Sequence, residues 1–185
     1  KMLQQISDQQ ENSQIIVATH NNMIASRLNL NNVLWITEDG VKSLKGVKSD
    51  VAEFFVRADD NAFLQLLLSK KVILVEGATE FLLLPMFYKQ TTDHTIEEDG
   101  ISVISCNGIS YKRYLEIAKA TDKRIAVVTD NDEKSDRIAE VASFNQANDL
   151  QHIFMGATVD EWTWEACIYK ENKDTLDGMI DVQAG

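Results

Sequence analysis

The sequence predicts an α/β protein in which a parallel β-sheet carries helices on both faces. Two observations predict it. From residue 71 onward, apolar runs of strand length alternate at least three times with segments of helical periodicity, the pattern that a parallel sheet with crossover helices requires. Those runs are near-continuous, as expected of strands covered on both sides. Right-handed crossovers are assumed.

Taken in order, residues 14–18 (QIIVA) and 33–37 (VLWIT) read as buried strands. A turn at Asp39-Gly40 returns the chain through residues 41–44 as a hairpin partner. Residues 50–68 carry Val51, Phe54, Phe55, Phe63, Leu66 and Leu67 in one or two helical pieces. KVILVE (71–76) is the clearest strand; Gly77 breaks it, and residues 78–88 follow as an apolar helix that must tolerate Pro85. ISVISC (101–106) is the next strand, ended by Asn107-Gly108, and residues 110–120 form a helix with Tyr114, Ile117 and Ala118 on one side. RIAVVT (124–129) runs into Asp130-Asn131-Asp132, residues 133–148 form a helix, and HIFM (152–155) is a last short strand.

Composition narrows the class. The chain has 185 residues, 44% of them apolar, with 18 Lys and Arg against 29 Asp and Glu and a net charge of −11. That apolar share supports a core and is too high for a disordered tail. Charge interrupts the apolar runs before any reaches membrane-spanning length, and residues 1–5 lack the features of a secretory signal. Cys106 and Cys167 lie far apart in sequence and read as reduced thiols of a cytoplasmic protein. Acidity argues against a plain nucleic-acid coating protein, yet is compatible with an enzyme that handles phosphates through metal ions. Residues 1–60 hold 6 basic and 8 acidic groups and residues 61–185 hold 12 and 21. Some of this second excess falls at strand ends, where it needs a reason.

Glu76 closes one strand, Glu80 falls in the first turn of the next helix, and Asp130 and Asp132 follow a later strand. Carboxyl ends of parallel strands are where such sheets place their chemistry. Taken singly, Glu80 also suits a helix dipole, and Asp130 and Asp132 also suit a helix cap. If the two strands are neighbours, about 4.8 Å apart, four carboxylates crowd together. Two of them at ~4 Å repel by roughly 4 kcal/mol at an effective dielectric near 20. Such a group binds protons or a cation, and its hard oxygen donors favour Mg²⁺ or Mn²⁺. A phosphate loop of the G-x-x-x-x-G-K-[ST] type is absent from the sequence.

VILVEGATE (72–80) followed by VVTDND (127–132) resembles the Toprim domain, a Rossmann-like parallel sheet found in topoisomerases, DnaG-type primases, recombination proteins and OLD-family (overcoming lysogenization defect) nucleases. Its pattern is Glu-Gly at one strand end and Asp-x-Asp after a later strand, here 54 residues apart. QIIVATHNN (14–22) resembles the end of an ABC-type ATPase, with His20 as the switch histidine that senses a γ-phosphate. A histidine in that place also suits a bond to a neighbouring carbonyl. An ATPase tail running into a Toprim domain is the layout of OLD-family ATP-dependent endonucleases, some of them phage-defence proteins. The resemblance assigns residues 1–58 to the tail of the ATPase domain and 59–185 to the Toprim nuclease.

What the resemblance implies is specific. Glu76 and Asp130 form the shared catalytic core, with Glu80, Asp132 and, from a T-x-E motif at residues 163–165, Glu165 completing the ligands of two Mg²⁺ or Mn²⁺ ions. The acid that follows in the family has no clear counterpart at residues 166–168, and Asp160 and Glu161 are substitutes. The family's catalytic lysine has no match beyond Lys170 and Lys173 by proximity. Gly77, Asn107, Gly108, Lys112 and Arg113 are candidate substrate contacts, the last two reading equally as solvated residues of a helix on which Tyr114 packs. Trp162 and Trp164 read as core. The partner is DNA. ATP and homo-oligomerisation through the ATPase domain belong to a full-length parent, and this chain alone is not expected to hydrolyse ATP. Other readings are a primase- or topoisomerase-like Toprim enzyme, or a non-enzymatic receiver-like signalling module.

Overall fold

The computed structural model describes residues 14–19, 32–38, 40–57, 62–106 and 111–183. His20, Asn107 and Gly108 lie outside the described residues. So does Asp39.

The order of elements follows the alternation in the sequence. A hairpin of β1 (Leu34–Thr37) and β2 (Gly40–Ser43) precedes α1 (Ser49–Arg57) and α2 (Ala62–Leu68). The sheet strands and their helices then alternate: β3 (Lys71–Val75), α3 (Ala78–Thr92), β4 (Ile101–Ser105), α4 (Tyr111–Ala120), β5 (Arg124–Val128), α5 (Ser135–Ala147) and β6 (Gln151–Phe154). Two helices without a strand between them end the described chain, α6 (Trp164–Glu171) and α7 (Lys173–Gln183). The sheet has the order β4-β3-β5-β6 and is parallel throughout.

Helices cover both faces, and the register shows how. Val72, Leu74, Ile104, Ile125 and Val127 point into the larger core with Val51 and Phe55 of α1, Phe63 and Leu66 of α2, and Tyr114 and Ile117 of α4. Their alternates Ile73, Val75, Val103 and Val128 point to the opposite face, where Leu84 and Tyr88 of α3 and Ile96 cover them. This is the period-two alternation of a strand applied to a sheet buried on both sides. At the centre of the larger core the Phe55 ring sits 5.0 Å from Phe54 and from Tyr114 and 5.3 Å from Phe63. Such offset and edge-on contacts add to the area these rings bury.

Four expectations need correction. Residues 14–18 form no described strand, and Ile16 is 85% exposed. An apolar run becomes a buried strand only where a ladder pairs its backbone, and no described strand pairs with this one. The 33–37 strand exists but is half-exposed, because a two-stranded hairpin hides one face at most: Leu34, Ile36 and Val41 face outward while Trp35 packs inward. Gly40 is a strand residue paired with Thr37 and not part of a turn. The apolar helix α3 is longer than expected and only partly buried, since Phe81, Leu82 and Met86 lie on its outer side.

Phe55 is 1% exposed at the junction of α1, α2 and α4. Phe55→Ala is expected to cost about 3–5 kcal/mol, read as a fall in the urea midpoint with an unchanged slope.

Candidate acidic site at the switch point of the sheet

From β3 the chain turns through α3 to β4 on one side, and from β5 it turns through α5 to β6 on the other. The point where these directions part lies between β3 and β5, which pair directly with Val75 opposite Val128. A crevice opens at the carboxyl ends of strands at such a point. Glu76 and Asp130 stand there, one and two residues beyond the paired ends.

Each acid is held by a different local device. Thr129 donates its hydroxyl to Glu76 Oε2 at 2.5 Å, and the Asp130 N–H approaches the same oxygen at 3.4 Å. Glu80 is buried in the first turn of α3 and turns back so that its Oε2 accepts the Gly77 N–H at 3.1 Å, satisfying an orphan donor of the helix start. Gly77 itself is in ordinary extended backbone, φ −122°. The glycine matters here for space and not for its torsion: a Cβ there would stand 2.8 Å from Glu80 Oε2 and push that carboxylate from its present place. Asp130 Oδ1 accepts the Trp164 N–H at 3.1 Å, at the start of α6. Thr163 caps that helix through the Ala166 N–H, which sets Glu165 in its first turn.

Electrostatics reflect the convergence of these groups. Burial, followed by the charges of Glu76, Glu80 and Glu165, pushes the Asp130 carboxyl above its ordinary value, against a downward pull from the Trp164 N–H. Burial and then the Glu76 charge push the Cys106 thiol up to about 12, so it stays protonated beside the site.

Asp132 departs from the expected arrangement. Residues 130 and 132 would share one face only if β5 continued through them, but β5 ends at Val128, and Asp132 is an exposed turn residue with φ 53°. It pairs with Arg137, and Lys134 Nζ lies 3.6 Å away. The residue between the two acids is the buried one. Asn131 is 0% exposed, and its amide donates to the carbonyls of Gly156, Thr158 and Glu161 at 3.1, 2.8 and 3.1 Å. It ties the Asp130 loop to the segment that leads into α6. That segment closes tightly, since a Cβ at Gly156 would meet the Glu161 carbonyl at 2.0 Å.

Among the other candidates, Lys112 is exposed and Arg113 lies over the Phe54 ring, 4.6 Å from its centroid. Glu161 is engaged by the Ala157 and Thr158 N–H groups and by Lys170 Nζ at 2.6 Å. Asp160 and Lys173 are exposed. Trp164 touches Phe87 at 5.9 Å between centroids, whereas Trp162 is 47% exposed and so is not a core residue. Thr129, Asn131 and Arg137 escaped the sequence reading. The acid-flanked asparagine in Asp-Asn-Asp was the available signal for one of them.

The donor set suits a hard divalent cation, because the converging groups are carboxylates. In the present rotamers Glu76, Glu80 and Asp130 are each turned onto a protein donor, and among the described residues no group of three or more His, Cys, Asp or Glu is gathered closely enough to hold a metal ion. The fit is therefore one of chemistry and placement, with side-chain rotation needed for coordination.

Fold and site together describe an α/β domain with its acids at the sheet's switch point, an arrangement consistent with a Toprim domain. Residues 67–132 match the family model described as Overcoming lysogenization defect protein-like, TOPRIM domain. The match takes in Glu76, Glu80, Asp130 and Asp132, and it supports a Toprim, nuclease-type function for this part of the chain. No curated protein and no solved structure matches the chain. Among the described residues no helix is long and apolar enough to cross a membrane.

Asn131→Ala leaves three carbonyls without their donor and is expected to cost about 2–4 kcal/mol, measured by chemical denaturation. A second expectation concerns pH. Because the folded Asp130 holds its proton more tightly than the unfolded one, the stability it contributes is present below the ordinary aspartate range and lost as pH rises through the folded value. Asp130→Asn, which keeps the acceptor for Trp164, is expected to raise the melting temperature of the metal-free chain at pH 7. That gain should vanish below about pH 3.9, as followed by circular dichroism.

Proposed function

We propose that this chain carries a metal-dependent DNA endonuclease site of the Toprim type, hydrolysing phosphodiester bonds. The observation that supports the reading is the placement of Glu76 and Asp130 just beyond the paired ends of β3 and β5, with Glu80 and Glu165 near enough for their charges to act on Asp130. Glu76 and Asp130 are the shared core in this reading, and Glu80, Asp132 and Glu165 complete the places for two Mg²⁺ or Mn²⁺ ions. When bound, such ions activate water and stabilise the leaving oxygen of a phosphodiester. The chain's own part is to orient the carboxylates, through Thr129, Gly77 and Trp164, and to present them on rigid elements. Gly77, Asn107, Gly108, Lys112 and Arg113 are the proposed DNA contacts.

In the same proposal residues 1–58 are the tail of an ABC-type ATPase domain, His20 its nucleotide-sensing histidine, and the whole a cytoplasmic OLD-family protein in DNA processing or phage defence. ATP and homo-oligomerisation through the ATPase domain belong to that longer parent. Of the two lysines that follow the T-x-E motif in sequence, Lys170 is held by Glu161, which leaves exposed Lys173 the freer candidate for a charge-stabilising role.

Incubation of plasmid DNA with the chain and Mn²⁺ or Mg²⁺ is expected to give nicked and linear products. Asp130→Ala should reduce cleavage at least ~100-fold, in line with the loss of a group that stabilises transition-state charge. Equal cleavage by the variant rejects the assignment, and labelling of an Asp by acetyl phosphate would favour a receiver-like module.

A further inference from the structure

Arg137 lies in the first turn of α5, and its side chain is 17% exposed. One arm of its guanidinium pairs with Asp132, and the other, Nη2, donates to Thr129 Oγ1 at 3.0 Å. Thr129 in turn donates to Glu76 Oε2 at 2.5 Å. These contacts form one chain, Asp132–Arg137–Thr129–Glu76. Its polarity is forced, because a guanidinium has no acceptor and a carboxylate no donor. The Thr129 hydroxyl must spend a lone pair on Arg137 and its proton on Glu76. Arg137 thereby fixes the direction of the hydroxyl, and with it which oxygen of Glu76 is held and which stays available.

We infer that Arg137 is the positioning residue of the acidic crevice, presetting Glu76 through Thr129 and Asp132 by direct pairing. The inference rests on the cation-site reading above. A guanidinium suits this role because its planar fork binds two groups at fixed angles, which a lysine ammonium cannot do. Its positive charge also offsets some repulsion among the acids. That charge by itself opposes cation binding, so the inference has a definite sign to defend. If orientation dominates, losing Arg137 weakens cation binding. If Arg137 is merely a counter-ion that competes for Asp132, losing it strengthens binding.

The test is Mn²⁺ affinity of the full chain by electron paramagnetic resonance, with folding checked by circular dichroism. Arg137→Gln is expected to weaken Mn²⁺ binding roughly tenfold or more, as loss of a ligand-orienting partner does. Thr129→Val, which cuts the same chain at its middle, should weaken it comparably. The double variant should be no worse than Arg137→Gln alone, since the Thr129 link lies within the path that starts at Arg137. Arg137→Lys, which keeps the charge and loses the fork, should not restore affinity. Unchanged or tighter binding by folded Arg137→Gln or Thr129→Val overturns the inference and leaves the cation site standing. Additive losses in the double variant also overturn it. A wild-type chain that binds no Mn²⁺, like Asp130→Asn, overturns the site reading and this inference together.

Discussion

The structure depends on one backbone register: the parallel pairing of β3 with β5 that sets Val75 opposite Val128. Parallel neighbours lie about 4.8 Å apart, so this pairing brings Glu76 within reach of a segment 54 residues downstream. A slip by one residue would reverse the faces of every apolar side chain in β5, turning Ile125 and Val127 out of the larger core. The burial that fixes the fold therefore fixes the acids as well. No separate interaction is needed to assemble Glu76 and Asp130, and repulsion between them cannot undo the register without unpacking both layers.

Around that register the protein builds a frame of neutral donors. Asn131 anchors the Asp130 loop to three carbonyls, the near-contact at Gly156 lets that segment fold back, and Thr163 starts α6 so that a backbone N–H meets Asp130. Gly77 gives Glu80 room to return to the start of its own helix. Each device serves two ends, satisfying a backbone group and aiming a carboxylate. A site made this way has its orientation set before any ligand arrives, which lowers the cost of ordering it later.

How much of this was legible depended on whether the signal was local. The strands from residue 71 onward and their alternation with helices were readable because continuous Val and Ile runs are a consequence of burial on both faces. The places of Glu76 and Asp130 were readable because strand ends are marked by the end of the run, and that of Glu80 because the helix starts just after Gly77. The 14–18 run misled because its apolar character needs a pairing partner that lies outside the run itself. Asp132 misled because a period-two argument holds only inside a strand, and β5 stops at Val128. Thr129 and Arg137 were not legible, and Asn131 was marked only by its flanking acids: their roles consist of contacts with residues up to 53 positions away, and a hydroxyl or amide in a polar loop gives no advance sign of its partner.

The cost of the arrangement argues that it is functional. A crevice of carboxylates at the centre of a sheet is opposed by burial and by mutual charge, as the upward displacement of Asp130 registers, and an amide or apolar residue there would serve the fold better. Structural ion-pair networks also displace carboxyl groups, but they do so by matching each acid with a cation. Here the named partners of Glu76, Glu80 and Asp130 are a hydroxyl and backbone N–H groups, and the nearby guanidinium meets Asp132 and Thr129 instead. Neutral donors orient a carboxylate without cancelling its charge. A protein with a net charge of −11 that keeps such a pocket of uncancelled charge has preserved the property that attracts a divalent cation, and a bound cation reverses the local field. Under the proposed function, that reversal is the route by which an acidic chain receives a polyanion such as DNA.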